Sequence, residues 1–201
     1  MKIVVYGATG MVGSEVVEAA VARGHEVVAV SRGGGDVPGA SALAADITDT
    51  ATVASLASSA DAVVFAVPTD RTGGPTEPIV DAHRRLIAAK PSSRLLVVGG
   101  AGSLSAGDGL LVDDPAFPEA YKPEAKAFTT ILHDYRAAEG LDWTLVSPSP
   151  VIAPGGRTGY VLGTDSPVGG SVTTTDFADA ILDELETPAH VGSRFTVASK
   201  G

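Results

Sequence analysis

The sequence contains no cysteine, few cations and no long apolar run, and each absence excludes a class of protein. Without cysteine there is no disulfide, no thiolate nucleophile and no cysteine-ligated zinc or iron–sulfur centre. Only 14 lysines and arginines stand against 24 aspartates and glutamates, and the net charge of −10 disfavours binding to nucleic acid or an anionic membrane. No apolar run reaches the roughly 18 residues of a membrane-spanning helix, and the N-terminal apolar segment is too short for a signal peptide. We therefore expect a cytoplasmic protein that binds neither nucleic acid nor membrane.

Residues 2–32 contain the most specific pattern in the chain: a predicted strand, a glycine-rich turn, a helix and a second strand. The turn carries Gly7, Gly10 and Gly13, and in this βαβ context the spacing predicts dinucleotide binding. Gly7 would permit the tight turn, Gly10 would let the backbone approach a pyrophosphate, and Gly13 would let the helix pack closely. The phosphates would be bound by backbone amides beside the start of the helix, namely those of Thr9, Met11 and Val12.

The rest of the chain continues this alternation of short apolar runs and helical patterns, which is typical of a parallel sheet covered on both faces. It predicts strands near residues 2–6, 26–30, 41–44, 61–66, 94–98, 142–147 and 194–198, and helices near 11–23, 49–58, 76–90, 123–139 and 175–187. The predicted fold is α/β, a Rossmann-like doubly wound parallel sheet with a small C-terminal substrate lobe. Residues 1–201 would form this single NAD(P)-binding domain, since their number and apolar content suit one core.

Two long loops, at residues 99–122 and 148–174, are rich in glycine, proline and polar residues. Long loops within compact domains are usually functional, and ligands of open α/β sheets bind at the carboxyl ends of the strands. Since both loops follow late strands, we expect them to form the substrate side of the site.

The end of the second predicted strand indicates which nicotinamide cofactor the chain prefers. An acidic residue there would bind the ribose hydroxyls of NAD, whereas this strand ends in Ser31 and Arg32. A hydroxyl and a planar guanidinium suit a 2′-phosphate, and the three glycines that follow leave room for it. We therefore predict NADP(H) in preference to NAD(H), with Asp36 as a nearby acid that could oppose this preference. The alternative is that Arg32 is simply solvated.

Further cofactor contacts are predicted at the ends of the other strands. Asp46 could accept a hydrogen bond from the adenine amino group while Ile47 packs on the ring, or Asp46 could instead cap a turn. Small residues after the fourth strand would let the ribose approach: Ala66, Val67 and Pro68. The late strands add Gly99, Gly100 and Pro148, the last in a Ser147–Pro150 turn expected to line the nicotinamide.

These features resemble the atypical short-chain dehydrogenase/reductases, in particular the group labelled NADH-flavin reductase-like, related to biliverdin reductase B and the NmrA-like proteins. Besides the glycine turn, Ser31-Arg32 and Asp46-Ile47, the resemblance rests on VVGGAGSL (97–104), FPEAYKPEA (117–125), LDWTLVSPS (141–149), GRTG (156–159) and RFTV (194–197). It extends over essentially the whole chain. It implies a Rossmann fold, an NAD(P)H cofactor and flavin reduction, with FMN or riboflavin as the substrate.

The chain departs from that wider superfamily at its catalytic signature, Tyr-x-x-x-Lys on one face of a helix. Here Tyr121 is followed four positions later by Ala125, and Lys126 is one position further on, rotated by roughly 140° from Tyr121 around a helix. Pro123 also indicates that the helix begins after Tyr121. We therefore interpret Tyr121 as a packing or loop-anchoring residue rather than a proton donor. Lys126 either reaches the nicotinamide ribose or is solvated.

The missing acid selects the predicted chemistry. Carbonyl reduction needs a proton for the developing alkoxide, whereas a flavin delocalises the charge that arrives with the hydride, so that stacking of the two rings suffices. We predict an NAD(P)H-dependent reductase of a flavin or another conjugated acceptor, such as a quinone or tetrapyrrole. Ser103 is the candidate catalytic hydrogen-bond donor, with a turn serine as the alternative.

Two other functions remain open from the sequence, a non-catalytic NADP(H)-binding redox sensor of the NmrA type and a sugar-nucleotide epimerase or dehydratase. The expected partner is a small-molecule acceptor, and the chain would act as a monomer or a homodimer. The four histidines are scattered without metal-ligand spacing, so we predict no metal.

Overall fold

A computed structural model describes all 201 residues. The strands are β1 (Lys2–Tyr6), β2 (Glu26–Ser31), β3 (Ser41–Ala44), β4 (Ala62–Phe65), β5 (Arg94–Val98), β6 (Ser105–Ala106), β7 (Gly109–Leu110), β8 (Trp143–Pro148), β9 (Val151–Ala153), β10 (Tyr160–Gly163), β11 (Ser171–Thr173) and β12 (Ser193–Ser199). The α-helices are α1 (Met11–Ala22), α2 (Thr50–Ser59), α3 (Glu77–Ala89), α4 (Lys122–Arg136) and α5 (Thr174–Glu186). None of these helices is both long and apolar enough to cross a membrane.

Eight strands form one sheet in the order β10-β12-β8-β5-β4-β1-β2-β3. All neighbours in it are parallel except β10, which runs antiparallel to β12. The predicted α/β fold, a Rossmann-like doubly wound sheet, is therefore confirmed. Outside the main sheet, β9 pairs with β11, and β6 pairs with β7 in a short hairpin.

The sheet separates two hydrophobic cores, and the alternation of side chains along β1 shows why. Successive residues of a strand point to opposite faces. Ile3 and Val5 pack in the core that contains α1 and α5, whereas Val4 and Tyr6 pack in the core that contains α2, α3 and α4. Because both faces are covered, a ligand can reach the strands only at their ends.

The predicted turn at Ser147–Pro150 is wrong in part, because β8 continues through its first two residues. Ser147 and Pro148 are buried, and Pro148 lies opposite Val197 of β12. The chain leaves the sheet only at Ser149, whose hydroxyl donates to the Val197 carbonyl at 2.8 Å. Pairing with a strand from the distant C-terminus thus extends an element that its local proline-rich sequence disfavours.

Candidate dinucleotide site

The glycine turn between β1 and α1 requires glycine at two positions for different physical reasons. Gly7 has φ of +79°, the left-handed region that side chains disfavour, and a Cβ there would lie 2.2 Å from the Ala66 carbonyl oxygen. Gly13 has no unusual φ, but its Cβ would lie 2.1 Å from the Gly7 carbonyl oxygen. Gly7 therefore makes the turn, and Gly13 lets α1 pack directly against it.

The start of α1 leaves backbone donors free for an anion. Its N-cap, Gly10, provides no side-chain acceptor, and the first turn of α1 contains no acidic residue. None of the amides predicted to bind phosphate is used in the hydrogen bonds of the turn, where Gly10 and Ser14 donate instead. Free N–H groups at the positive end of a helix dipole suit a pyrophosphate. The turn thus fits the phosphates of a dinucleotide.

A cleft of about 110 Å³ lies beside this turn, at the carboxyl end of the sheet. Its lining comes from the turn and α1, from the loop after β4, from the end of β5 and from α4: Gly10, Met11, Val12, Ala66, Val67, Pro68, Arg71, Val98, Gly99, Glu124 and Phe128. The structure thus places seven of the predicted cofactor-binding residues around one cavity. Pro148 and Gly100 are not part of this lining.

A larger cleft, of about 330 Å³, lies between α2 and α3 and shares no residue with the turn. It is lined mainly by α2 and α3, together with Ile47 and the loop after α3, whereas ligands of open α/β sheets bind at the carboxyl ends of the strands. Ile47 lines this cleft and is only 6% exposed, packed in the core beside α2 and α3. This burial leaves little of Ile47 for the predicted contact with an adenine ring.

The two side chains at the end of β2 differ in whether they bond other groups of the protein. The Ser31 hydroxyl accepts a hydrogen bond from the Gly34 amide at 3.1 Å, which shapes the glycine segment after the strand. Arg32 is exposed, and its guanidinium forms neither a hydrogen bond nor an ion pair. Arg32 is therefore free to bind a ligand phosphate.

Two carboxylates lie near Arg32, and both are held by local turns. The Asp46 carboxylate accepts from the Thr48 amide at 2.8 Å and hydroxyl at 2.7 Å through one oxygen, Oδ1. Asp70 makes the equivalent pair of bonds with Thr72. These hydrogen bonds, together with the charge of Arg32, hold the pKa of each carboxyl below its ordinary value. Asp46 therefore caps a turn, as the alternative interpretation predicted, and keeps Oδ2 for a ligand.

An ion pair that the sequence did not reveal bridges two walls of the cleft. Glu124, in the first turn of α4, accepts from Arg71 Nε at 3.0 Å and Nη2 at 2.8 Å. Its Oε2 also accepts from the Thr69 hydroxyl at 3.0 Å. The loop after β4 is thereby fastened to α4. No signal in the sequence identifies this pair, because Arg71 and Glu124 are 53 positions apart.

Ser103 lies in a short 3-10 helix after β5 (Ala101–Ser103), only 4% exposed and outside the cleft lining. Its hydroxyl donates to the Gly100 carbonyl at 3.2 Å and accepts from Arg194 Nη1 at 3.0 Å. These contacts match the turn-serine alternative and leave the hydroxyl proton engaged. A catalytic role for Ser103 stays a prediction that the contacts do not favour.

Tyr121 and Lys126 also lie outside the cleft lining. α4 begins after Tyr121, as Pro123 predicted, and Tyr121 is its N-cap and is 58% exposed. Lys126 is exposed on the same helix. Neither residue therefore forms part of the cleft wall.

The fold and the glycine turn define an α/β nucleotide-binding domain. A family described as NAD(P)H-binding matches residues 7–188, and the chain belongs to that family. It is 38% identical to the uncharacterised protein YwnB of Bacillus subtilis (strain 168), and the matched region covers all of this chain and 99% of YwnB. The resemblance to the NADH-flavin reductase-like group of atypical short-chain dehydrogenase/reductases is confirmed by this family and by the solved structures.

Two of those solved structures share the fold over nearly their whole length. A candidate NADH-flavin reductase from Streptococcus pneumoniae TIGR4 is 31% identical, with a TM-score of 0.85 and complete coverage of both chains. A candidate epimerase from Bacteroides thetaiotaomicron is 34% identical, with a TM-score of 0.87, covering 98% of this chain and 96% of the other. The two descriptions differ in chemistry, so the function has to be argued from the site.

Proposed function

We propose that the protein is an NAD(P)H-dependent reductase that transfers hydride to a flavin or another conjugated acceptor, such as a quinone or tetrapyrrole. The composition of the cleft carries this proposal. Its only ionisable residues are Arg71 and Glu124, which are bound to each other. No lining residue offers a phenol, an imidazole or a hydroxyl group. The cleft therefore has no free group to deliver a proton.

This composition suits acceptors that stabilise their own negative charge. When bound, NAD(P)H supplies the hydride. The amides of the glycine turn would hold the pyrophosphate, while Met11, Val12 and Phe128 would provide apolar walls that exclude water. A simple carbonyl would need an acid for its alkoxide, whereas a conjugated ring spreads the charge and takes its proton from solvent. The similarity to a candidate NADH-flavin reductase supports the same proposal.

We further propose that NADP(H) is preferred to NAD(H). The support is the free guanidinium of Arg32 beside the Ser31 turn. A planar guanidinium binds phosphate oxygens through parallel hydrogen bonds. The carboxylates of Asp46 and Asp70 oppose this preference, since each repels a 2′-phosphate.

A redox sensor of the NmrA type is the second candidate, favoured by the small volume of the cleft, about 110 Å³. A narrow nicotinamide cavity suits binding without turnover. Epimerase or dehydratase chemistry is the weaker alternative, because it also needs proton transfer and Tyr121 lies outside the cleft lining.

Stopped-flow oxidation of NADPH and NADH at 340 nm tests the proposal, with FMN, riboflavin, a quinone and a tetrapyrrole offered in turn. The same mixtures without protein give the background rate. Turnover well above background with any acceptor establishes a reductase and names its substrate class. Tight NADPH binding with background rates for all four acceptors would reject the reductase and favour the sensor.

A further inference from the structure

We propose that Arg194 is a positioning residue that holds the two acceptor-side loops, residues 99–122 and 148–174, against each other. The inference rests on the proposed reductase function and on the expectation from the sequence that these loops form the acceptor side of the site. Arg194 lies in β12, is 4% exposed and touches no part of the glycine turn. Its action would therefore be indirect, through the loops that it joins.

The guanidinium of Arg194 bonds one residue from each loop. Nη1 donates to both the carbonyl and the hydroxyl of Ser103, each at 3.0 Å. Nε donates to the carboxylate of Asp165 at 2.9 Å, and Nη2 donates to the same carboxylate. Asp165 lies between β10 and β11, so a single buried side chain connects the segment after β5 with the C-terminal lobe.

Asp165 completes this connection from the second loop. Its carboxylate also accepts from Arg136 at 2.6 Å, in the last turn of α4, and its carbonyl accepts from the Ser105 amide at 2.7 Å. Burial alone would raise the pKa of Asp165, but hydrogen bonds from Arg194 and Arg136 outweigh it and hold the pKa below its ordinary value. The carboxylate thus stays ionised and balances the buried cation.

The anchored segment is continuous with the cleft. Gly99 lines the cleft, and only Gly100, Ala101 and Gly102 separate it from Ser103 along the chain. The next residue, Leu104, is completely buried, and a Cβ on Gly102 would lie 2.5 Å from the Ala125 Cβ. With so little space, a displacement of Ser103 would be transmitted to the cleft wall. Misplacement by about 1 Å can reduce a rate by a factor of about 100.

A second buried arginine provides a matched control for a purely structural role. Arg94 is 7% exposed and donates to Glu184 at 2.5 Å and to the Thr144 hydroxyl at 3.0 Å. It lies at the amino end of β5, away from the glycine turn and from both loops. Replacing Arg94 should destabilise the fold as replacing Arg194 does, without altering the acceptor site.

The test compares Arg194→Lys, which keeps the charge and loses the planar fork, with Arg94→Lys. Asp165→Asn is a second variant at a half-exposed side chain, which limits the damage to folding. We expect Arg194→Lys and Asp165→Asn to raise KM for the acceptor on the order of tenfold while the NADPH Kd changes by less than about twofold. Hydrogen exchange should accelerate in residues 103–111 and 163–170 together, and Arg94→Lys should show neither effect.

The two proposals fail in different ways. If the unmodified protein turns over no acceptor, the reductase is rejected, while hydrogen exchange still tests the connection between the loops. If the protein turns over an acceptor but Arg194→Lys behaves like Arg94→Lys in KM and in exchange, the positioning role is overturned. Acceleration in only one of the two loops would also overturn it.

Discussion

Replacing Arg32 with alanine should weaken the binding of NADPH much more than that of NADH. The guanidinium has no partner within the protein, so nothing else loses a bond when it is removed. The two cofactors differ only in the 2′-phosphate, which makes NADH an internal control. The comparison therefore isolates the proposed phosphate contact.

The expected size follows from the exposure of Arg32. Hydrogen bonds to charged groups contribute about 1.5–3 kcal/mol, and solvent and salt screening place an exposed contact at the low end. Since about 1.4 kcal/mol corresponds to tenfold in affinity, the NADPH Kd should rise about tenfold and the NADH Kd less than about twofold. Asp70→Asn should act in the opposite direction, because it removes a repulsive charge near Arg32.

Isothermal titration calorimetry measures the four dissociation constants directly, those of NADPH and NADH for the unmodified protein and for Arg32→Ala. Arg85→Ala is the matched control, since Arg85 is an exposed residue of α3 that lines the other cleft. It removes the same charge and should change neither Kd. The preference for NADPH should also decline as ionic strength rises. Equal losses for both cofactors, or no loss for NADPH, would refute the phosphate contact.

Three further outcomes follow from the buried groups. Burial lowers the pKa of His83 from 6.5 to about 4, so the unfolded state takes up a proton at a higher pH than the folded state does. As the pH drops from about 6.5 to about 4, this group should therefore lower the free energy of unfolding by about 3 kcal/mol. Urea unfolding at several pH values should show a smaller loss of stability with falling pH in His83→Gln, and an unchanged loss in the control His133→Gln, whose side chain is exposed. The same pH dependence in both variants would contradict this expectation. Gly13→Ala should lower the free energy of unfolding by about 1–3 kcal/mol, because the new Cβ would lie 2.1 Å from a carbonyl oxygen. Gly10→Ala, whose Cβ would lie 3.2 Å from the same oxygen, should mainly weaken dinucleotide binding. Equal stabilities of the two variants would reject the close packing at Gly13. Ser103→Ala should lower the free energy of unfolding by about 1 kcal/mol and leave the hydride-transfer rate within about twofold of the original rate. A slower transfer at unchanged dinucleotide affinity would instead support Ser103 as the catalytic hydrogen-bond donor.

Local patterns were enough to predict the elements that build the dinucleotide site. The apolar run of β1 and the spacing of Gly7, Gly10 and Gly13 depend on residues within one element or turn, and the structure contains both as predicted. The run Ala66–Pro68 could be assigned to the same edge because parallel strands place their carboxyl ends together. Pro148 could not, because its pairing with Val197 depends on a strand at the other end of the chain.

The sequence by itself determined the alternating elements, the glycine turn and the position of Arg32 at the end of β2, because these depend on backbone conformation and on neighbours in the chain. Only the tertiary structure decided which charges meet. Arg71 reaches Glu124 across 53 positions, and Arg194 reaches Ser103 across 91. No periodicity or turn rule encodes such pairs, because they form only when the fold brings distant segments of the chain together. The composition of the cleft, and with it the proposed chemistry, follows from that long-range packing.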